Sequence, residues 1–416
     1  MRDVEAAQAC LEATSQWQSA TTQADHWQRL GSVQSALGRH SAAALSLGRA
    51  SRLDPNSDRL HALGVLFEAT GALPRAARAY ALAVRLNPGS VRSYFALGFV
   101  LGRAQRGQQA RSAFGAALTL DPTDARSYRA LGLADTLLKR HASAATALHH
   151  AVRLQPTFGD AWFELGIALQ QTAELPAALR AYRALLVLSP RNAPALANRG
   201  TVLRELARPA EAAASYTAAL AAAPAFPEVL NNLGLVAAQE LAQPDRALRL
   251  VAAGRKLAPR GADWATVEGL ALTRMQRYTE AATAFGHAAR VSRGSSLTGR
   301  PSADAACQLL LARKRIADWR SAEALLGLAV DALRSGGCDR SWDKLYGLAL
   351  PLDPPLLRMV AERYAQRKEQ IAQAIGAPRR RWPIPVASRC GMRVGYMSAD
   401  IRWHVMAFLT QARDGA

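Results

Sequence analysis

The chain has 416 residues, with a hydrophobic content of 50% and an aromatic content of only 6%. This length exceeds what one ordinary compact core accommodates, so we expect several domains or an array of repeats, built from helices rich in alanine and leucine. The formal net charge is +20, carried mostly by arginines scattered along the chain. Such scattering is typical of a solvated surface; attraction to nucleic acid, anionic membranes or acidic proteins is the alternative interpretation.

The cysteines and the apolar stretches bear on compartment and on metal binding. Cys10, Cys307, Cys338 and Cys390 lie far apart and form no CxxC pair, which argues against a disulfide framework or zinc site and favours a reducing compartment. Charged residues follow Met1 at once, and no stretch approaches the ~20 apolar residues of a membrane span. We therefore expect a soluble cytoplasmic protein without a metal site.

The first segment of the chain has a helical pattern of its own. Val4, Ala7 and Leu11 lie at helical spacing within residues 1–23, but the pattern that follows along the chain is not complete there. We predict that this segment is a helix that caps the first apolar face of an array.

One pattern then recurs from residue 24 to residue 295. A marker glycine returns at steps of 33 to 35 residues, at Gly31, Gly64, Gly98, Gly132, Gly166, Gly200, Gly234 and Gly269. A proline keeps the same period, at Pro55, Pro88, Pro122, Pro156, Pro190, Pro224 and Pro259. Two independent markers in phase predict eight repeats over 24–295.

A single unit, residues 91–124, shows what the markers do. Helical spacing predicts two helices, which touch at Gly98 and Ala110, where small side chains let them come close. Phe114 fills the gap beside them, and Pro122 ends the second helix. This pattern resembles the tetratricopeptide repeat, a helix-turn-helix unit of about 34 residues. It implies an all-α superhelical solenoid whose first helices line a concave groove suited to extended protein segments.

The groove is where a partner is expected to bind. The resemblance implies that the residue two positions before each marker glycine faces it, namely Arg29, Ala62, Ala96, Ala130, Glu164, Asn198, Asn232 and Val267. Asn198 and Asn232 are candidates for peptide binding, because an amide side chain donates and accepts hydrogen bonds at once. They resemble the asparagine ladder in the repeat arm of protein O-GlcNAc transferases. Polar residues on a solvated helix face are the alternative interpretation.

Another use of such repeats is a clamp for the C-terminal carboxylate of a partner. It needs basic and asparagine side chains on successive first helices. Arg129 has a suitable position, but Leu133 stands where the asparagine is needed. The residues therefore argue against a carboxylate clamp.

From Ser302 the period is lost while helical patterns continue, over 303–318, 322–334 and 355–375. The sequence of this stretch resembles the helical connector between the repeats and the catalytic domain in bacterial members of the O-GlcNAc transferase family. We predict a helical connector over 296–377 and a linker over 378–391, which contains the arginine run 379–381.

The segment 392–416 begins MRVGYMSADIRWHVMAFL, which predicts a short buried strand, a turn and a helix. It resembles the opening of the catalytic region of that family, with the matching residues Gly395, Tyr396, Ser398, Asp400, Arg402 and His404. The resemblance implies a Rossmann-like glycosyltransferase fold and a UDP-GlcNAc donor. It also implies a catalytic role for His404, whose imidazole can orient or deprotonate a hydroxyl group.

The predicted function follows from this order of segments. The sequence stops at Ala416, and one strand does not make a stable sheet. We therefore expect only a truncated start of an α/β catalytic domain, with no cofactor in this chain and no transferase activity by itself. The leading hypothesis is the protein-binding repeat arm of an O-GlcNAc-transferase-like protein. A non-catalytic adaptor or scaffold is the alternative, a nucleic-acid partner is not expected, and the oligomeric state stays open.

Overall fold

A computed structural model describes residues 20–259 and 264–295, together with residues 308, 309, 312 and 313. The chain divides into two compact units, 1–375 and 376–416, and all of the described residues belong to the first. These residues form sixteen α-helices and no strand.

The helices come in eight consecutive pairs, a first and a second helix in each repeat. Their bounds are α1 Ala20–Ala36, α2 His40–Leu53, α3 Ser57–Ala69, α4 Leu73–Leu86, α5 Val91–Arg103, α6 Gly107–Leu120, α7 Ala125–Leu137, α8 His141–Leu154, α9 Gly159–Gln171, α10 Leu175–Leu188, α11 Ala193–Glu205, α12 Pro209–Ala222, α13 Pro227–Gln239, α14 Pro244–Leu257, α15 Trp264–Arg274 and α16 Tyr278–Ser295. Each helix packs mainly on the helices next to it in sequence. The predicted all-α solenoid is thereby confirmed for the described residues.

At five of the eight repeats the marker glycine accommodates a ring of the second helix. A Cβ atom added at Gly166 would lie 2.5 Å from Cε1 of Tyr182, a residue that is completely buried. The same juxtaposition recurs in the pairs Gly64–Tyr80, Gly98–Phe114, Gly200–Tyr216 and Gly269–Phe285. At the other three, the neighbouring side chain is aliphatic, in the pairs Gly31–Leu47, Gly132–Leu148 and Gly234–Val267. The sequence predicts close contact between two helices at the glycine; at the five positions the space is taken by the aromatic side chain.

The turns between the first and second helices share one backbone feature. One residue in each turn has a positive φ, at Gly38, Gly71, Gln105, Lys139, Ala173, Ala207, Ala242 and Gln276. The turn at Ala173 is closed by two hydrogen bonds, from its own N–H to the Gln170 carbonyl at 3.1 Å and from the Glu174 N–H to the Leu169 carbonyl at 2.9 Å. Because this region of φ favours glycine, the six other residues sit there at an energetic cost.

Polar side chains begin four of the first helices. Asn56, Ser90, Asp124 and Asn192 each accept a hydrogen bond from a backbone N–H in the first turn of the following helix. At Asp124 burial acts to raise the pKa, but hydrogen bonds from the Ser127 hydroxyl and from Arg126 outweigh it and hold the pKa below its ordinary value. The caps therefore satisfy N–H groups that have no partner within the helix.

The second helices end as the prolines predict. Helix α6 ends at Leu120, and Asp121 is extended, with φ −133° and ψ 92°. A residue before a proline is driven into this region because the ring clashes with its helical conformation. The recurring proline thus turns the chain toward the next first helix.

The apolar core continues past the last helix pair. Leu309 and Ala312 are buried in the same cluster as Phe285 of α16. Residues 1–19 of the predicted cap, most of the predicted connector, the linker 378–391 and the α/β start at 392–416 lie outside the described residues, so these boundaries stay predictions.

Candidate functional site

The first helices face a common groove. From α5 onward, each first helix contacts the first helix of the next repeat, whereas among the described helices no two second helices come as close. Helices on the inner side of a curved array are closer together than those on its outer side, so the first helices line the concave side.

One stripe of each first helix from α1 to α13 is open to this groove, whereas the corresponding residues Val267 and Leu270 of α15 are buried. In α5 it comprises Arg92, Ala96, Phe99 and Arg103, whose spacing places them on one side of the helix. Arg92, Phe99 and Arg103 are exposed and Ala96 is partly buried. The equivalent residues of every first helix stand six and two positions before the marker glycine and one and five positions after it. We call this set of residues the groove face.

Asn198 lies on the groove face of α11, as the sequence predicts, and it is half-buried. Burial raises the pKa of Tyr182, a residue of the preceding repeat, above its ordinary value, and the nearby Asn198 side chain acts to lower it. The Tyr182 hydroxyl group donates a hydrogen bond to Oε1 of Gln170 at 3.5 Å. The Asn198 amide therefore lies beside Tyr182 at the junction of two repeats.

Asn232 has the equivalent position on α13, one repeat further along, and is also half-buried. The groove face thus carries both amides on consecutive first helices. The adjacent Asn231 has a buried Oδ1 atom for which no described residue supplies a hydrogen bond. Peptide binding by Asn198 and Asn232 stays a prediction.

The guanidinium group of Arg129 is already engaged within the array. Its Nη2 atom lies 2.6 Å from Oε1 of Glu164 and 3.7 Å from a carboxylate oxygen of Asp160, both on the next first helix. The group also lies over the ring of Phe158, 5.4 Å from its centroid. Burial raises the pKa of Glu164 even though Arg129 acts to lower it. Arg129 therefore joins two repeats.

A row of apolar side chains on the groove face was missed by the sequence analysis. Val65, Phe99 and Leu133 are exposed to 44%, 47% and 39%, and Ile167 continues the row with partial exposure. Each follows its marker glycine directly, on α3, α5, α7 and α9. The signal was present in the sequence as four large apolar residues at a constant step of 34, but their exposure required the packed array. We call these four residues the apolar row.

A second row carries charge. The residue six positions before the marker glycine is Asp58, Arg92, Arg126 and Asp160 on the same four helices, and all four are exposed. Arg126 lies 3.3 Å from Asp124 and over the ring of Phe95, and its side chain is nevertheless 76% exposed. We call these four residues the charged row.

The other site residue named from the sequence, His404, lies outside the described residues. Among the residues that are described, no three His, Cys, Asp or Glu side chains are grouped so as to hold a metal ion. Over the same residues, none of the helices has the length and apolar character needed to cross a membrane.

Three stretches of the array match a known repeat family. Residues 29–91, 138–195 and 197–241 match the tetratricopeptide repeat family. These repeats are tetratricopeptide repeats. No curated protein sequence matches the chain.

Several solved structures are similar to the array. YrrB, described as a tetratricopeptide repeat protein with an unusual peptide-binding site, is 20% identical, with 48% of this chain and 99% of that chain covered and a TM-score of 0.41. PilF of Pseudomonas aeruginosa is 22% identical over 50% of this chain and 96% of that chain, with a TM-score of 0.42. MamA of Desulfovibrio magneticus is 20% identical over 41% and 97%, with a TM-score of 0.39. At these identities the likeness concerns the fold alone.

Proposed function

We propose that this chain binds extended segments of partner proteins along the groove face of its tetratricopeptide repeats. The observation that carries the proposal is the series of open stripes on the first helices from α1 to α13, which offers apolar, amide and charged side chains at regular intervals. An extended segment presents its side chains and its backbone amides at regular intervals too. A repeating surface therefore suits a repeating ligand.

Asn198 and Asn232 are proposed to hold the backbone of the bound segment. An asparagine side chain has two donor hydrogens and an acceptor oxygen. The side chains of Asn198 and Asn232 are both partly exposed, so a bound segment can reach these groups. Because backbone N–H and C=O groups occur in every sequence, such contacts give affinity without strong sequence preference.

In its finer form, the proposal is that the array is the acceptor-binding arm of an O-GlcNAc-transferase-like protein that uses UDP-GlcNAc. It is supported by the two groove asparagines and by the segment MRVGYMSADIRWHVMAFL over 392–409, in which His404 is the candidate catalytic residue. A non-catalytic scaffold is the second candidate. The groove face supports it equally, because binding of a segment requires no chemistry.

The groove is tested with the full chain and a labelled, unstructured peptide rich in serine and threonine. The double variant Asn198→Ala with Asn232→Ala is expected to bind it about 30-fold more weakly, since two net hydrogen-bond contributions of about 1 kcal/mol each are lost. The matched control is Gln108→Ala with Gln109→Ala, which removes two exposed amides from the second helix α6. If both double variants bind like the unchanged chain, while circular dichroism shows equal helix content, the asparagines do not hold the peptide.

The finer proposal is tested by adding UDP-GlcNAc and an acceptor protein to the purified chain. We expect the acceptor to bind and no sugar to be transferred. Transfer that disappears in His404→Ala would contradict the assignment of this chain as a binding arm alone. If the acceptor binds no better than an unrelated folded protein, the binding proposal itself fails.

A further inference from the structure

The apolar row and the charged row run side by side along the groove of the second to fifth repeats. Both rows use the helices α3, α5, α7 and α9, and they are seven residues apart on each helix. At 1.5 Å per residue this separation is about 10 Å along the helix axis. A bound segment of ordinary width therefore reaches both rows at once.

The spacing of the apolar row indicates the conformation of that segment. Successive first helices contact each other from α5 onward, and packed helices lie 8–10 Å apart, so the side chains of Phe99, Leu133 and Ile167 follow one another at about 10 Å. A polyproline II segment has three residues per turn and rises about 9 Å in that turn. Every third side chain therefore points the same way at the spacing of the repeats. Phe99 and Leu133 would each contact one apolar side chain of the segment.

The charged row indicates which charges the segment carries. In chain order its signs are negative at Asp58, positive at Arg92 and Arg126, and negative at Asp160. Within the described part of the chain no carboxylate pairs with Arg92. The side chain of Asp160 is 73% exposed despite its approach to Arg129. The order is symmetric, so it selects the same charges whichever way the segment runs.

We propose that the second to fifth repeats bind a polyproline-II-like protein segment with an apolar residue at every third position and charges in the order basic, acidic, acidic, basic. This inference rests on the proposed function and assigns the chemistry of the ligand. Four triplets cover the four repeats, one triplet to each. The apolar residues pack on the apolar row, and the charged residues pair with the charged row.

The test uses two labelled peptides with the same composition and no net charge. The matched peptide has the triplets Leu-Arg-Pro, Leu-Glu-Pro, Leu-Glu-Pro and Leu-Arg-Pro; the inverted peptide has Leu-Glu-Pro at the ends and Leu-Arg-Pro in the middle. Because neither peptide has a net charge, the strong positive charge of the protein favours neither, so a difference reports the order of charges alone. The full chain is expected to bind the matched peptide about tenfold more tightly, a difference of about 1.4 kcal/mol, and less so at high salt.

Variants separate the two rows. Arg92→Glu with Arg126→Glu is expected to abolish the preference between the peptides, because the row is then negative at all four positions and each peptide makes two favourable and two unfavourable pairings. Phe99→Ser with Leu133→Ser is expected to weaken binding of both peptides about tenfold. The matched control is Leu45→Ser with Val187→Ser, an equal loss of apolar side chains from the second helices α2 and α10, where these residues are 71% and 79% exposed. This control is expected to leave both affinities unchanged.

The outcomes distinguish this inference from the proposed function. If the two peptides bind equally and the charge variant changes nothing, the assigned chemistry is wrong, while groove binding of the serine- and threonine-rich peptide still stands. If neither peptide binds and that third peptide does, the inference is likewise overturned. If none of the three binds, both the inference and the proposed function fail.

Discussion

Gly166→Ala tests whether the marker glycines exist to admit the aromatic ring of the second helix. An alanine in place of a helical glycine stabilises a helix by about 1 kcal/mol when nothing opposes it. At Gly166 the new Cβ would lie 2.5 Å, 2.7 Å and 2.9 Å from three ring carbons of Tyr182. Tyr182 is completely buried, so the ring has no free space to enter, and overpacking of this kind costs about 1–3 kcal/mol.

The control is another helical glycine whose neighbourhood is open. A Cβ atom at Gly115 would meet no other atom within 4 Å, so Gly115→Ala is expected to stabilise the chain by about 1 kcal/mol. Gly166→Ala is expected to destabilise it by about 1 kcal/mol, the difference between the strain and the helix gain. Urea denaturation followed by circular dichroism measures both.

Repeating the substitution in a variant without the tyrosine ring isolates the effect of that ring. In the Tyr182→Val background the approaching ring atoms are gone, so Gly166→Ala is expected to become stabilising, by the helix gain of about 1 kcal/mol. The substitution would then change sign between the two backgrounds, a coupling that a double-mutant cycle reports directly. The reasoning is refuted if Gly166→Ala has the same effect in both backgrounds or matches Gly115→Ala.

Two further predictions concern the turns and the caps. Ala173→Gly is expected to stabilise the chain by about 0.5–1 kcal/mol, because it relieves a left-handed backbone at the cost of some unfolded-state entropy. The control Ala214→Gly, on the exposed side of α12, is expected to destabilise the chain by about 1 kcal/mol. Thermal melts that give both changes the same sign would contradict this. Asp124→Ala is expected to cost about 1 kcal/mol near neutral pH through loss of the helix cap. The folded-state pKa of Asp124 lies below its ordinary value. The carboxylate therefore contributes stability above its unfolded pKa, and this contribution is lost as pH falls through the folded pKa. The urea midpoints of the variant and of the unchanged chain should converge in acid below about pH 4.

Much of the fold was readable before any coordinates because the array is built from contacts close in sequence. Gly98 and Pro122 recur in phase along the chain, and each unit packs mainly on its neighbours, so the local pattern predicts the global one. The left-handed turn at Ala173 was not readable. Neither its residue type nor that of Gln105 favours positive φ, and the conformation is imposed by the two helices that the turn joins.

The candidate site, too, was predictable from the sequence only in part. The position of Asn198 on the inner stripe followed from its distance to the marker glycine, and the structure places it there; its proximity to Tyr182 of the preceding repeat was not foreseen. The engagement of Arg129 by Glu164 could not be foreseen either, since it joins residues 35 apart whose side chains meet only when two repeats stack.

By itself, the amino-acid sequence determined the repeat length, the helix pairs and the residues that fill each hairpin, because periodic apolar spacing and local backbone preferences act within one unit. Only the tertiary structure decided which side chains stay open to solvent. Val65, Phe99 and Leu133 are of residue types that are usually buried in a core, but stacking of the repeats leaves them exposed in a row. Exposure depends on what the neighbouring units cover, and that is a property of the packed array rather than of any one repeat.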